Sequence, residues 1–293
     1  MSHEEPRTEV TEPQERIDPA RSSNAPRQKK LIALDLDGTL LTHGNKVSDE
    51  NAAAVREAVA AGIHIVLATS RWYLLAKRTA ALLGITSPII CHNGAMIRSP
   101  LDDSRLLELG VPADAAIEIA AIADEAQYES MATVDDVTYL LTKRPDIDPA
   151  RLPRGMVRIE RLSDTVTKGV EAFLFFGQDA VDGIRERLGG KYDGILNLAW
   201  GYSETFPPYL NIVNAGADKG RALRIVCEHV GVSPDDAMAI GDAAPDLEMM
   251  RAASLSVAMG NAPSDVQAQA DVVGPSNQED GVAWAIRTLA LDH

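Results

Sequence analysis

From residue 31 onward, short apolar runs alternate with longer stretches of helical period. The run 31–34 ends abruptly in Asp35-Leu36-Asp37-Gly38-Thr39. It is short enough for a buried strand, and Gly38 is a natural place for the chain to leave a sheet. Ser48, followed by Asp49 and Glu50, predicts a helix start, which Gly62 closes. A second apolar run, 63–68, ends in Thr69-Ser70-Arg71; a helix is expected over 72–83 and a third strand over 88–91. Two β-α-β units in succession imply a parallel sheet with helices on its faces.

The rhythm changes after residue 97. A helix at 112–126, strands at 129–134 and 137–141, strands at 156–161 and 170–176, a helix at 180–188 and a strand at 195–199 form an α+β block. From 209 the β-α rhythm resumes: a strand at 209–213, a helix opened by Lys219, and a strand at 237–240 running into Gly241-Asp242. Strands at 256–259 and 271–273 follow, with a closing amphipathic helix over 280–291. The predicted architecture is an α/β core of 29–97 plus 209–293 with a cap inserted at 98–208. Residues 1–28, rich in Glu, Arg, Pro and Ser, read as a disordered tail.

Composition narrows the function. A hydrophobic fraction of 45% supports a sizeable core, and a net charge of −15 argues against nucleic acid and anionic membranes as partners. An anionic ligand therefore needs a local reversal of the field, by a metal or placed cations. The two cysteines, Cys91 and Cys227, sit in apolar patterns and read as buried thiols of a reducing cytoplasm. The absence of a long apolar run or a signal-like N-terminus predicts a chain that is neither exported nor membrane-spanning.

Polar clusters follow successive strands: Asp35 and Asp37, Thr69 and Arg71, Asp242 and Asp246. On a parallel sheet they gather at one edge, where open α/β sheets bind ligands. Two acids so close need a cation or a proton to offset repulsion and desolvation. The set suits phosphoryl transfer. Asp35 would attack phosphorus, and Asp37 would protonate the leaving oxygen and then deprotonate water. Mg²⁺ held by Asp35, the Asp37 main chain and Asp242, with support from Asp246, would neutralise the carboxylates. Thr69 and Lys219 would hold the equatorial oxygens. A dinucleotide oxidoreductase is disfavoured, since no Gly-x-Gly-x-x-Gly follows the first strand, and a receiver domain would carry no cap.

Asp35-Leu-Asp-Gly-Thr-Leu, Thr69-Ser-Arg, Ala217-Asp-Lys219-Gly and Gly241-Asp242-x-x-x-Asp246 resemble, in order, the four motifs of the haloacid dehalogenase superfamily. The long cap, His92-Asn93-Gly94-Ala95 and Val257-Ala-Met-Gly-Asn261-Ala resemble its Cof-like subclass IIB. The resemblance implies a HAD-like Rossmannoid core and a Mg²⁺-dependent phosphatase acting on a small phosphorylated metabolite. It further implies that Ser70, Arg71, Asn93, Gly94 and Asn261 join Thr69 and Lys219 in binding phosphate or substrate. Two departures stand out. Ser70 replaces a glycine, and Pro245 occupies an asparagine position, removing a side-chain amide and a backbone N–H. Pro245 supports an alternative, a weakened protein that binds a phosphorylated metabolite as sensor or partner; a phosphomutase is a further alternative. Trp200, Tyr202, Glu204 and Tyr209 cluster near the return to the core, where aromatics can stack on a substrate or simply pack the junction. His43 is expected in a solvated loop and His64 in a buried strand.

Overall fold

The computed structural model describes residues 29–166, 169–203 and 206–291. The expected tail, residues 1–28, and Glu204 lie outside the described residues, as does the Tyr202 side chain. Leu31–Leu34 is the hub of a parallel five-stranded sheet, flanked by His64–Leu67 on one side and Ala237–Gly241 on the other. Leu255–Ala258 and Val272–Val273 continue the order outward. All four hub residues are fully buried. Ile32 and Leu34 pack on helices Asp49–Ala60, Tyr73–Leu83 and Gly281–Leu289, while Leu31 and Ala33 pack on Lys219–Val230 and Leu247–Ala252. A strand covered on both faces has no polar side to show, which is why its sequence reads as an unbroken apolar run.

The helix boundaries follow local chemistry. The Ser48 side chain accepts the Asn51 amide at the start of Asp49–Ala60, and Asp218 accepts that of Arg221 at the start of Lys219–Val230. Gly84 and Gly231 close their helices in left-handed conformation. No helix among the described residues is long and apolar enough to cross a membrane. Cys91 and Cys227 are buried free thiols.

The inserted block has a six-stranded sheet in the order Met156–Ile159, Val137–Leu141, Ser130–Val134, Val170–Phe176, Phe206–Asn214, Leu196–Ser203. Helices Ala113–Ala126 and Gln178–Leu188 cover one face, enclosing a hydrophobic cluster separate from those of the core. The boundaries differ from the expected 98–208. Met96–Arg98 pairs with Ile89–Cys91 on the core side and Arg105–Glu108 pairs in turn with Met96–Arg98, while the strand expected to reopen the core pairs in the cap sheet through Asn214. An apolar run does not announce which of two sheets it joins; pairing partners distant in sequence decide that.

Candidate functional site

Register brings the polar strand ends together. Leu34 lies level with Ile240 on one side and Leu67 on the other, so Asp35 emerges between Asp242 and Thr69. Lys219, at the start of its helix, reaches into the same place with its side chain only 3% exposed. Its Nζ donates to Asp35 Oδ1 and to Asp246 Oδ1, each at 2.6 Å. Asp246 Oδ2 accepts the amides of Asp242 and Ala243 at 3.0 Å, pinning the loop that carries Asp242. Thr39 donates its hydroxyl to Asp242 Oδ1 at 2.7 Å.

Gly38 is required here. Its φ is +85°, and a Cβ would overlap the Asp242 carboxylate. Gly241 is equally confined, since a Cβ there would overlap Asp246.

Carboxylate oxygens of Asp35, Asp242 and Asp246 lie within 4.8 Å of one another. Fully ionised, three carboxylates against one ammonium leave two negative charges uncompensated at the centre of the site. Burial, then Asp246, pushes the Asp35 carboxyl well above its ordinary range despite the opposing pull of Lys219. Burial and Asp246 likewise push Asp242 up to about 7. Burial alone would lower the Lys219 ammonium, but Asp246 and Asp35 outweigh it and raise it. The donors are all oxygen, which suits a hard divalent cation. Asp246 has both oxygens committed to Lys219 and the loop amides, so Asp35 and Asp242 are the freer ligands.

The other expected residues divide. Asp37 is exposed, and its carboxylate is paired with Arg71, whose Nε donates to Oδ2 at 2.7 Å. Arg71 also donates to Asn45, in the turn between the short strands Leu41–Thr42 and Lys46–Val47. Thr69 is buried, its hydroxyl accepting the Arg71 amide. Asn261 is turned to the loop carrying the acids, donating to the Gly38 carbonyl at 2.9 Å and accepting the Asn277 amide. Asn277 in turn donates to the Leu41 carbonyl.

His92, Asn93 and Gly94 take positive φ in succession. Asn93 donates its amide to Thr69 and Gly94 lies against the Asp218 backbone, so this loop joins the segments carrying Thr69 and Lys219. Ser70 lines a cavity of about 30 Å³ between core and cap, together with Trp72, His92, Thr133, Thr138 and Asn211. Pro245 is exposed in the first turn of the short helix Ala244–Asp246, where a missing N–H costs nothing. His43 is exposed, and His64 is half-buried against Ser87.

Sequence reasoning missed Thr39, Asn277 and the His92–Glu171 contact. Thr39 carried a signal, its place directly after Asp37-Gly38; Asn277 and Glu171 carried none, being joined to the site only through tertiary contacts. Trp200 lies level with Leu210 in the cap sheet, whereas Tyr209 pairs with Gly201, so the two aromatics occupy opposite faces.

Among relatives, the chloroplastic endoribonuclease YBEY of Arabidopsis thaliana is 29% identical over 271 residues, which make up 89% of this chain and 46% of that protein. The chain thus spans about half of that relative. The 5-amino-6-(5-phospho-D-ribitylamino)uracil phosphatase YcsE of Bacillus subtilis is 30% identical over 267 residues, covering 89% of this chain and 96% of that one. A haloacid dehalogenase-like hydrolase from Bacteroides thetaiotaomicron superposes with a TM-score of 0.77 at 26% identity, over 89% and 99% of the two chains. Residues 32–286 match the haloacid dehalogenase-like hydrolase family, and the chain belongs to it.

Proposed function

We propose that the protein is a Mg²⁺-dependent phosphatase that hydrolyses a small phosphorylated metabolite through an aspartyl-phosphate intermediate. The observation that carries this is the grouping of Asp35, Asp242 and Asp246 around Lys219, which when ionised is short by the charge of one divalent cation. Asp35 and Asp242 would hold Mg²⁺, with Asp246 orienting Lys219 and the Asp242 loop; the ion, when bound, neutralises carboxylate charge and polarises phosphate oxygens. The Asp35 carboxylate attacks phosphorus, forming the Asp35–phosphorus bond as the bond to the leaving oxygen breaks. Asp37 donates the proton that the leaving oxygen takes up, then removes one from the water that attacks the aspartyl phosphate, which breaks the bond between the Asp35 oxygen and phosphorus and releases inorganic phosphate and the free carboxylate. For this its carboxyl must be released from Arg71, whose guanidinium is then free for the substrate. Lys219 and Thr69 face the phosphoryl oxygens as charge redistributes. The named phosphatase activity of YcsE supports the reaction class, and the cap supports a role in selecting the leaving group.

A panel of phosphorylated metabolites and p-nitrophenyl phosphate tests this. Hydrolysis is expected with Mg²⁺, lost on chelation, and lost in Asp35→Asn, which keeps the side-chain shape but removes the nucleophile. Failure to hydrolyse any phosphoester in the panel would point instead to a protein that binds a phosphorylated metabolite without turnover, the reading that Pro245 favours.

A further inference from the structure

In the cap strand Phe206–Asn214, Leu210 and Ile212 enter the hydrophobic cluster under the cap helices. Strand alternation therefore sends Tyr209, Asn211 and Val213 to the opposite face. That face is turned to the core: Val213 packs with Ala95 and Ala217, and Asn211 comes within 3.5 Å of Asn93. Tyr209, two residues before Asn211, is half-buried, and the charges that act on its phenol are those of Asp35, Asp37, Lys219 and Asp242. The ring lies on the core-facing side of the cap sheet, the side that Asn211 and Val213 bring against the core loop and Ala217.

The neighbouring strand makes room for it. Gly201 pairs directly with Tyr209, and a Cβ at Gly201 would overlap the Tyr209 Cζ, Cε1 and hydroxyl oxygen. The ring thus lies across a glycine that has no positive φ or turn to explain it. Trp200, next to that glycine, faces the other way and is 55% exposed, so the junction does not collect aromatics indiscriminately.

We propose that Tyr209 is a specificity-determining residue whose ring face contacts the leaving group of the phosphoester, and that Gly201 seats that ring. This rests on the phosphatase reading of the same site. An aromatic face suits a C–H-rich or flat surface close to the ester oxygen and disfavours an anionic one. Asn211, about 7 Å further along the strand, presents an amide beside Ser70, His92, Thr133 and Thr138. A leaving group with an apolar face near the ester and hydroxyls beyond it matches this order.

Two probes separate the leaving-group contact from the phosphate site. Inorganic phosphate carries no leaving group, so its inhibition constant reads the phosphate site alone, whereas p-nitrophenyl phosphate presents a flat ring. Tyr209→Leu is expected to raise KM for p-nitrophenyl phosphate by about tenfold while changing inhibition by inorganic phosphate no more than about twofold. Tyr209→Phe should recover most of the loss. Gly201→Ala displaces the ring without removing it, so it should weaken the wild type comparably and add nothing to Tyr209→Leu. An unchanged KM in Tyr209→Leu, an equal loss for inorganic phosphate, or additive effects of the two substitutions would overturn the inference. Binding of p-nitrophenyl phosphate to the Asp35→Asn protein, with and without Tyr209→Leu, reads the same contact without turnover. An inactive wild type counts against the phosphatase reading, and a Kd indifferent to Tyr209→Leu counts against this inference.

Discussion

At the scale of single residues, Pro245 is where local stability and site chemistry pull apart. In the first turn of Ala244–Asp246 a proline matches the required φ and gives up an N–H that the helix does not use. An asparagine there would restore a side-chain amide beside the loop of Asp242 and Asp246. Pro245→Asn is therefore expected to raise kcat/KM several-fold, the worth of about one hydrogen bond, while lowering stability by about 0.5–1 kcal/mol through a freer unfolded chain. Steady-state kinetics and thermal melting of the same protein check both halves, and unchanged or lower kcat/KM would count against a missing phosphate contact. Asp35, Asp242 and Lys219 were legible in the sequence because each directly follows or opens an element whose period is plain. The partners of Asp37 and Asn261 were not, because Arg71 and Gly38 reach them only once strands far apart in sequence lie side by side.

At the scale of elements, the cap strand Val170–Phe176 shows how an irregularity serves a contact. Its register shifts between Val170 and Ala172, and the intervening Glu171 is buried. Its carboxylate lies 3.3 Å from His92 Nε2, on the core loop that also carries Asn93. A bulge of this kind re-aims one side chain and shifts the phase of the alternation, so that Val170 enters the same hydrophobic cluster as Phe173 and Phe175. Period-two reading located the strand but had no means of detecting the extra residue, since Glu171 reads as an ordinary polar position within it.

Burial alone would raise the Glu171 carboxyl, but the neighbouring His92 outweighs it, and the group rests below its ordinary 4.5. A carboxyl lowered on folding contributes stability that is fully present above the unfolded value and is lost as pH falls through the folded one. Glu171→Gln should therefore cost on the order of 1–3 kcal/mol near neutrality and show a shallower loss of stability below pH 4.5. Denaturant melts of both proteins across that range decide it; parallel pH profiles would remove Glu171 from the account.

For the whole molecule, the acid cluster sets function against stability. The fold places Asp35, Asp242 and Asp246 at one sheet edge of a chain that already carries a net charge of −15, with Lys219 as the cation inside the cluster. Without a metal, burial and repulsion disfavour the ionised cluster, which is why Asp242 is pushed up to about 7. Asp242→Asn removes one buried charge and keeps the Thr39 hydroxyl within reach of a side-chain oxygen. In chelator it should melt higher than the wild type by roughly 2–4 °C, the shift expected of about 1 kcal/mol in a chain of this size. Saturating Mg²⁺ should reverse the order. Binding to the native state alone stabilises the wild type by about 2.7 kcal/mol at a hundredfold excess over Kd, and the variant, lacking a ligand, should gain little. The separate hydrophobic clusters of core and cap make a probe in the core preferable to the total signal. A wild type that melts at the same temperature with and without Mg²⁺ would mean that the two uncompensated charges are met by protons or by water rather than by a metal. The site would then lack the cation on which the proposed attack by Asp35 depends.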